Sequence, residues 1–109
     1  MPSKYVKLAI FVPEDYADAV REAIGKAGAG KRTDSNYSHC SFTTKGVGRF
    51  LPEEGAVPTI GTVGKLEAVL EDRIETMCLR ELLPDVLAAA KAVHKYEEMA
   101  YDVWALEDT

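Results

Sequence analysis

The period of hydrophobic residues changes several times along this chain, and each change marks an element. Tyr5-Val6-Lys7-Leu8-Ala9-Ile10-Phe11-Val12 alternates at its start and then runs continuously apolar. With its β-branched and aromatic side chains, it predicts a central strand. Pro13-Glu14-Asp15 then opens a helix: proline suits the first turn, and the acids face the positive end of the helix dipole. Tyr16, Ala17, Val20, Ala23, Ile24 and Ala27 recur at steps of three and four and make one apolar face. Gly28 stands where a left-handed cap would close that helix.

Tyr37 leads into Ser38-His39-Cys40-Ser41-Phe42-Thr43, which reads as a second strand. A long loop, Thr44 to Lys65, follows, punctuated by Gly46, Gly48, Pro52, Gly55, Pro58, Gly61 and Gly64. Its Phe50, Leu51, Val57, Ile60 and Val63 give it something to bury. An ordered excursion is therefore expected, packed on the body or on another subunit. Leu66 to Leu79 alternates around Arg73-Ile74-Glu75-Thr76-Met77-Cys78, a long third strand. Leu82, Leu83, Val86, Leu87, Ala90 and Val93 form a second amphipathic helix, with Pro84 and Asp85 in its first turn. Tyr101 to Leu106 is the last strand, with one of Tyr101 and Trp104 facing the core and the other outward. The order βαββαβ predicts an α+β, ferredoxin-like fold: an antiparallel four-stranded sheet with both helices on one face. The other face needs a partner, so self-association is expected.

Composition narrows the function classes. The 109 residues fit one domain spanning 1–109, with 47% hydrophobic and 28% charged residues and a net charge of −5. That charge argues against a general nucleic-acid binder. No stretch reaches the ~20 apolar residues of a membrane span. The N-terminal residues read as a strand, not a signal peptide, and Cys40 and Cys78 form no CxxC, so a cytoplasmic protein with reduced thiols is expected. Charge is uneven: Arg21, Lys26, Lys31, Arg32, Lys45 and Arg49 face only Glu22 and Asp34 between positions 21 and 50. Such a region suits an anion, an acidic partner surface or a solvated face.

Gly25-Lys26-Ala27-Gly28-Ala29-Gly30-Lys31-Arg32 nearly reproduces a phosphate-binding loop. Such a loop must follow a strand and open a helix, so that amides and the positive dipole end meet the phosphates. Here the glycines close a helix, and Arg32 stands where a Mg²⁺-holding hydroxyl belongs. The segment reads as a helix stop, not as a nucleotide site.

His94-Lys95-Tyr96-Glu97-Glu98 offers an imidazole beside carboxylates, either a base or metal ligand or a helix end with a packed Tyr96. His39 and Cys40, adjacent on a strand, point to opposite faces and cannot chelate one ion together without a bulge. One of them could pair with His94 and Glu97 or Glu98, and a set of Cys40, His94 and a glutamate would suit Zn²⁺ or Cu²⁺; otherwise Cys40 is a core or interface residue. Cys78 reads as packing. Arg49, between Gly48 and Phe50, suits either an anion or an ion pair across a subunit boundary with Glu54, Glu67 or Glu75.

Two segments also carry a resemblance. Cys40-Ser41-Phe42, Gly46-Val47-Gly48-Arg49-Phe50, Pro52, Gly55-Ala56, Pro58, Ile60-Gly61, Val63-Gly64 and Glu67 resemble the CutA/PII-like domain inserted in bacterial Nif-three-like (YqfO-like) proteins. The tail from His94 to Val103 resembles that domain's closing His-Pro-Tyr-Glu-Glu segment, with Lys95 where the family has proline, so the corner loses a fixed φ. The resemblance implies a stand-alone regulatory or binding module, non-enzymatic, acting as a homo-oligomer with a trimer favoured. It implies clefts between subunits lined by Cys40, Arg49, His94, Tyr96, Glu97 and Glu98, for a ligand or protein partner. By analogy with CutA, the alternative is a divalent-metal binder (Zn or Cu through His94, Cys40 and Glu97) concerned with metal tolerance. The dinuclear metal site of full-length Nif-three-like proteins lies in flanking domains, so its chemistry is not expected here.

Overall fold

The structure, a computed structural model, describes residues 2–109. Its elements are β1 (Tyr5–Pro13), α1 (Ala17–Lys26), β2 (Phe42–Phe50), β3 (Glu67–Leu79), α2 (Leu83–Val93) and β4 (Tyr101–Ala105). A 3-10 turn precedes each helix, Glu14–Tyr16 before α1 and Arg80–Leu82 before α2. Pro13 therefore ends β1 and does not itself open α1. The strands pair antiparallel in the order β2-β3-β1-β4, the ferredoxin-like arrangement.

Directly paired residues of neighbouring strands point to the same side of a sheet, so the register sorts the side chains. Val6, Leu8, Ile10 and Val12 share one side with Ile74 and Cys78, and Val20, Ile24, Val86 and Ala90 of the helices bury them. Burial there raises the pKa of the Cys78 thiol, which acts as core packing. Lys7, Phe11, Arg73, Met77, Phe42 and Trp104 fall on the opposite side, which no helix covers. Phe42 and Trp104 are 70% and 41% exposed on it. Tyr101 pairs with Ile10 on the helix side, its ring centroid 5.3 Å from Lys91 Nζ. One aromatic of β4 thus faces in and the other out.

The end of α1 is a Schellman cap. Gly28 has φ +109°, its N–H bonds to the Gly25 carbonyl at 3.1 Å, and the Ala29 N–H reaches the Ile24 carbonyl at 2.9 Å. Gly30 N–H donates to the Met77 carbonyl at 2.7 Å. The amides a phosphate would need are turned to helix and strand carbonyls, as the helix-stop reading requires.

The second strand is displaced from its expected place at 38–43. Residues 38–41 form no strand, and His39 takes a left-handed φ of +58°. The reason is Gly30, which lies between Cys40 and β3: it donates to Met77 and accepts the Cys40 N–H at 3.1 Å. A side chain at Gly30 would overlap the Cys40 backbone, so this approach requires glycine. Thr76 Oγ1 completes the join by donating to the Cys40 carbonyl at 2.8 Å. Pairing with β3 begins only at Phe42↔Glu75 and continues to Phe50↔Glu67, through the first third of what reads as loop.

β1 stops pairing at Pro13↔Glu71, but β2 and β3 run on together. They leave the body as a two-stranded arm and draw the molecule out to 47 × 28 × 22 Å. Its Val47 and Leu70 face each other and are both exposed. A buried carboxylate anchors the root of this arm. Asp72, 2% exposed, meets Arg21 of α1 at 2.8 Å and Lys45 of β2 at 2.9 Å. Burial alone would raise its pKa; hydrogen bonds and charge from Lys45 and Arg21 outweigh that and hold the carboxyl below its ordinary value.

Candidate functional site

Where the arm leaves the body, three segments enclose a cleft of about 850 Å³. Gly48-Arg49-Phe50 of β2 and Glu71 of β3 form one side, the loop from Leu51 to Ile60 a second, and Tyr96 to Ala100 the third, with Phe11 of β1 between. Gly64 N–H bonds the Pro52 carbonyl at 2.8 Å, closing the neck of the loop. Glu97 Oε1 accepts the Val57 N–H at 2.8 Å and ties the loop to the corner after α2. The long excursion is therefore tied to the body of its own chain, although Leu51, Val57 and Val63, expected to bury, are exposed.

The corner is built from His94 outward. His94 is the C-cap of α2, and its ring bridges two backbones: Nε2 lies 2.7 Å from the Phe11 carbonyl, and Nδ1 accepts the Tyr96 N–H at 3.1 Å. These bonds require the neutral Nε2–H tautomer and occupy both nitrogens, so neither lone pair is free within the chain. Lys95 has its Nζ 4.9 Å from the Tyr16 ring centroid and 4.0 Å from Asp15 Oδ2.

Tyr96 is the keystone. Its hydroxyl donates to Glu71 Oε2 at 2.8 Å, and its ring meets Phe50 edge-on with centroids 5.5 Å apart. Burial raises the phenol pKa far above its usual value, and the Glu71 carboxylate raises it further, so Tyr96 stays a donor. Glu71 is itself 8% exposed, and Gly48 leaves room for it: a side chain at 48 would overlap the carboxylate. Glu71 is the residue that the sequence reading missed. Its only signal was an acid at the third-strand position that faces the glycine-rich segment.

Of the residues expected in a cleft, the fold brings Arg49, Tyr96, Glu97 and Glu98 together. His94 lies behind them, lining a smaller cavity of about 360 Å³ with Lys91 and Tyr101. Cys40 stands elsewhere: it is level with Met77, four strand residues or roughly 13 Å from the Phe11↔Arg73 level that holds His94. Within one chain the set His94, Cys40 and Glu97 does not converge on an ion. Among the described residues, no group of three or more His, Cys, Asp or Glu side chains is placed to hold a metal. Arg49 makes no ion pair with Glu54, Glu67 or Glu75 inside the chain.

No protein-family model matches the chain. It is 47% identical over 103 residues to a Bacillus subtilis "GTP cyclohydrolase 1 type 2 homolog", covering 94% of this chain and 27% of that protein. A Mycobacterium tuberculosis protein of the same name is 48% identical over 100 residues, 92% of this chain and 26% of its own. The chain thus spans about a quarter of the length of these relatives. Among solved structures, a Bacillus cereus protein related to NIF3 superposes with a TM-score of 0.83 at 42% identity, over 99% of this chain and 27% of that one. The CutA divalent cation tolerance protein of Archaeoglobus fulgidus (TM-score 0.67, 19% identity, 96% and 86% coverage) shares the fold. So does a Bacillus subtilis GlnK–ATP complex (TM-score 0.63, 15% identity, 97% and 84%). By sequence this chain is similar to a stretch of about its own length in these NIF3-related proteins, and it shares the fold of CutA and GlnK.

Proposed function

We propose that this chain is a regulatory or binding module that acts as a homo-oligomer, a trimer favoured, and takes a ligand or partner in the cleft beside Tyr96. The observation that carries the reading is the cleft itself. It is of the size of small-molecule sites, and hydrogen bonds on two sides hold it open and shaped. The imidazole behind it is committed to backbone and the phenol is kept protonated, which supports a binding role over an acid–base one. Nothing in this arrangement couples a nucleophile to a base.

Assembly is supported by the uncovered sheet face and the arm. Phe42 and Trp104 are exposed on the face, and Val47, Leu66 and Leu70 at the arm. Arg73, with Nη2 3.2 Å from Glu75 Oε1 and its guanidinium 5.8 Å from the Phe11 ring centroid, keeps a buried Nε without a hydrogen-bond partner. A second subunit would cover the apolar side chains. Native mass spectrometry of the protein purified from its own cells tests both parts. A homo-oligomer carrying a bound mass is expected; a bare ~12 kDa monomer would overturn the reading.

A further inference from the structure

We propose that the cleft selects an organic cation, a primary ammonium or guanidinium group on an apolar body, with Glu71 as its buried counter-charge. The inference rests on the cleft being a binding site and adds the chemistry of its ligand. Glu71 is more than nine-tenths buried and lines the cleft. Tyr96 occupies its Oε2, while Oε1 sits in the space that Gly48 leaves by having no side chain and, among the described residues, has no hydrogen-bond partner. A carboxylate so placed has lost much of its hydration and holds an acceptor in reserve, which a charged donor would satisfy best.

The surroundings select the sign. Glu53, Glu54, Glu97 and Glu98 also line the cleft, and among the described residues Arg49 is its one cation. In a concave, partly apolar site these charges add to a field that concentrates cations and repels phosphates and carboxylates. Phe50 and Tyr96 add ring faces and edges beside Glu71, which suit an ammonium or guanidinium on a hydrocarbon body. The volume is far larger than a bare ion needs, and Pro52, Ile60 and Met99 give the body apolar walls.

The test is a two-probe titration of ¹⁵N-labelled protein near neutral pH, with phenethylammonium chloride against sodium 3-phenylpropionate. Saturable shifts of the Gly48, Val57 and Tyr96 amides are expected with the ammonium and none with the carboxylate. Glu71→Gln should weaken ammonium binding at least ~10-fold, as loss of a desolvated ion pair does. Arg49 is exposed, so Arg49→Gln should fold normally and tighten ammonium binding a few-fold, by removal of the like charge. That second variant keeps the test decisive if Glu71→Gln does not fold. Carboxylate binding lost in Arg49→Gln would overturn the inference while leaving a binding module. Silence from both probes, or Glu71→Gln binding like wild type, would also overturn it. Sedimentation of the same samples reports separately on assembly: a monomer that binds the ammonium would sink the oligomer reading and leave this one standing.

Discussion

Tyr96→Phe deletes one oxygen from the corner and should loosen the whole cleft. The phenol donates to Glu71 Oε2 at 2.8 Å, a bond to an ionised acceptor, and Glu71 is 8% exposed. Hydrogen bonds to charged groups contribute about 1.5–3 kcal/mol, and a buried acceptor left unpaired loses its solvation as well. Phe keeps the edge-on contact with Phe50, and water entering the cleft would restore part of the lost hydration. The net cost should therefore be about 2 kcal/mol. For a chain of this size that lowers Tm by roughly 8–10 °C. Urea unfolding at one fixed protein concentration is the assay, because subunit association would couple to unfolding. Glu71→Met, of similar shape, completes the cycle. The double variant should cost less than the sum of the singles by about 1.5 kcal/mol, since removing both partners leaves no orphan. A Tyr96→Phe protein within ~0.3 kcal/mol of wild type, or additive singles, would refute the reasoning.

Other perturbations separate the remaining roles. Asp72→Asn leaves Arg21 and Lys45 facing an amide and should cost about 2 kcal/mol at pH 7, less than a fully buried pair because Lys45 is solvated. The Asp72 carboxyl is held below its ordinary pKa, so this stability is present above the unfolded value of ~3.9 and fades as pH falls through the folded one. Melts that show the same gap between wild type and variant at pH 7 and pH 3 would contradict it. In alkaline titration, Tyr5, held low by its hydrogen bonds with Thr33, should ionise first and Tyr96 last. Stability from the Tyr96 hydroxyl is full below ~10 and is lost as pH rises through the higher folded value. A wild-type minus Tyr96→Phe absorbance difference centred on ~10 would speak against this. His94→Ala removes two bonds to backbone and should cost about 1–3 kcal/mol. It should also leave the heat of Zn²⁺ titration unchanged; a large Zn²⁺ heat abolished by the mutation would make His94 a metal ligand.

Much of the fold was legible because burial leaves periodicity. β1, β3, α1 and α2 each pack an apolar face into one core, and their patterns survive in the chain. β2 was misplaced for the converse reason. Lying at the sheet edge, with most of its residues exposed, it has no apolar face to alternate, and its Gly46 and Gly48 mimic a loop. The true strand shows only through its register with β3. At the site, Tyr96 and Glu97 were visible from the clustered corner. Glu71 was not, since an acid at an alternating position reads as a solvent face. Its burial depends on Tyr96, 25 positions along the chain, and on a glycine in the neighbouring strand.

Sedimentation velocity at micromolar concentration tests the proposed module most directly. Wild type should sediment as a homo-oligomer, near three times the 11.9 kDa of one chain if the assembly is a trimer. Phe42→Glu, which places a charge on the uncovered face without touching the core, should shift the species toward monomer. A wild-type protein that sediments as a single 11.9 kDa species, unchanged by Phe42→Glu, would contradict the reading.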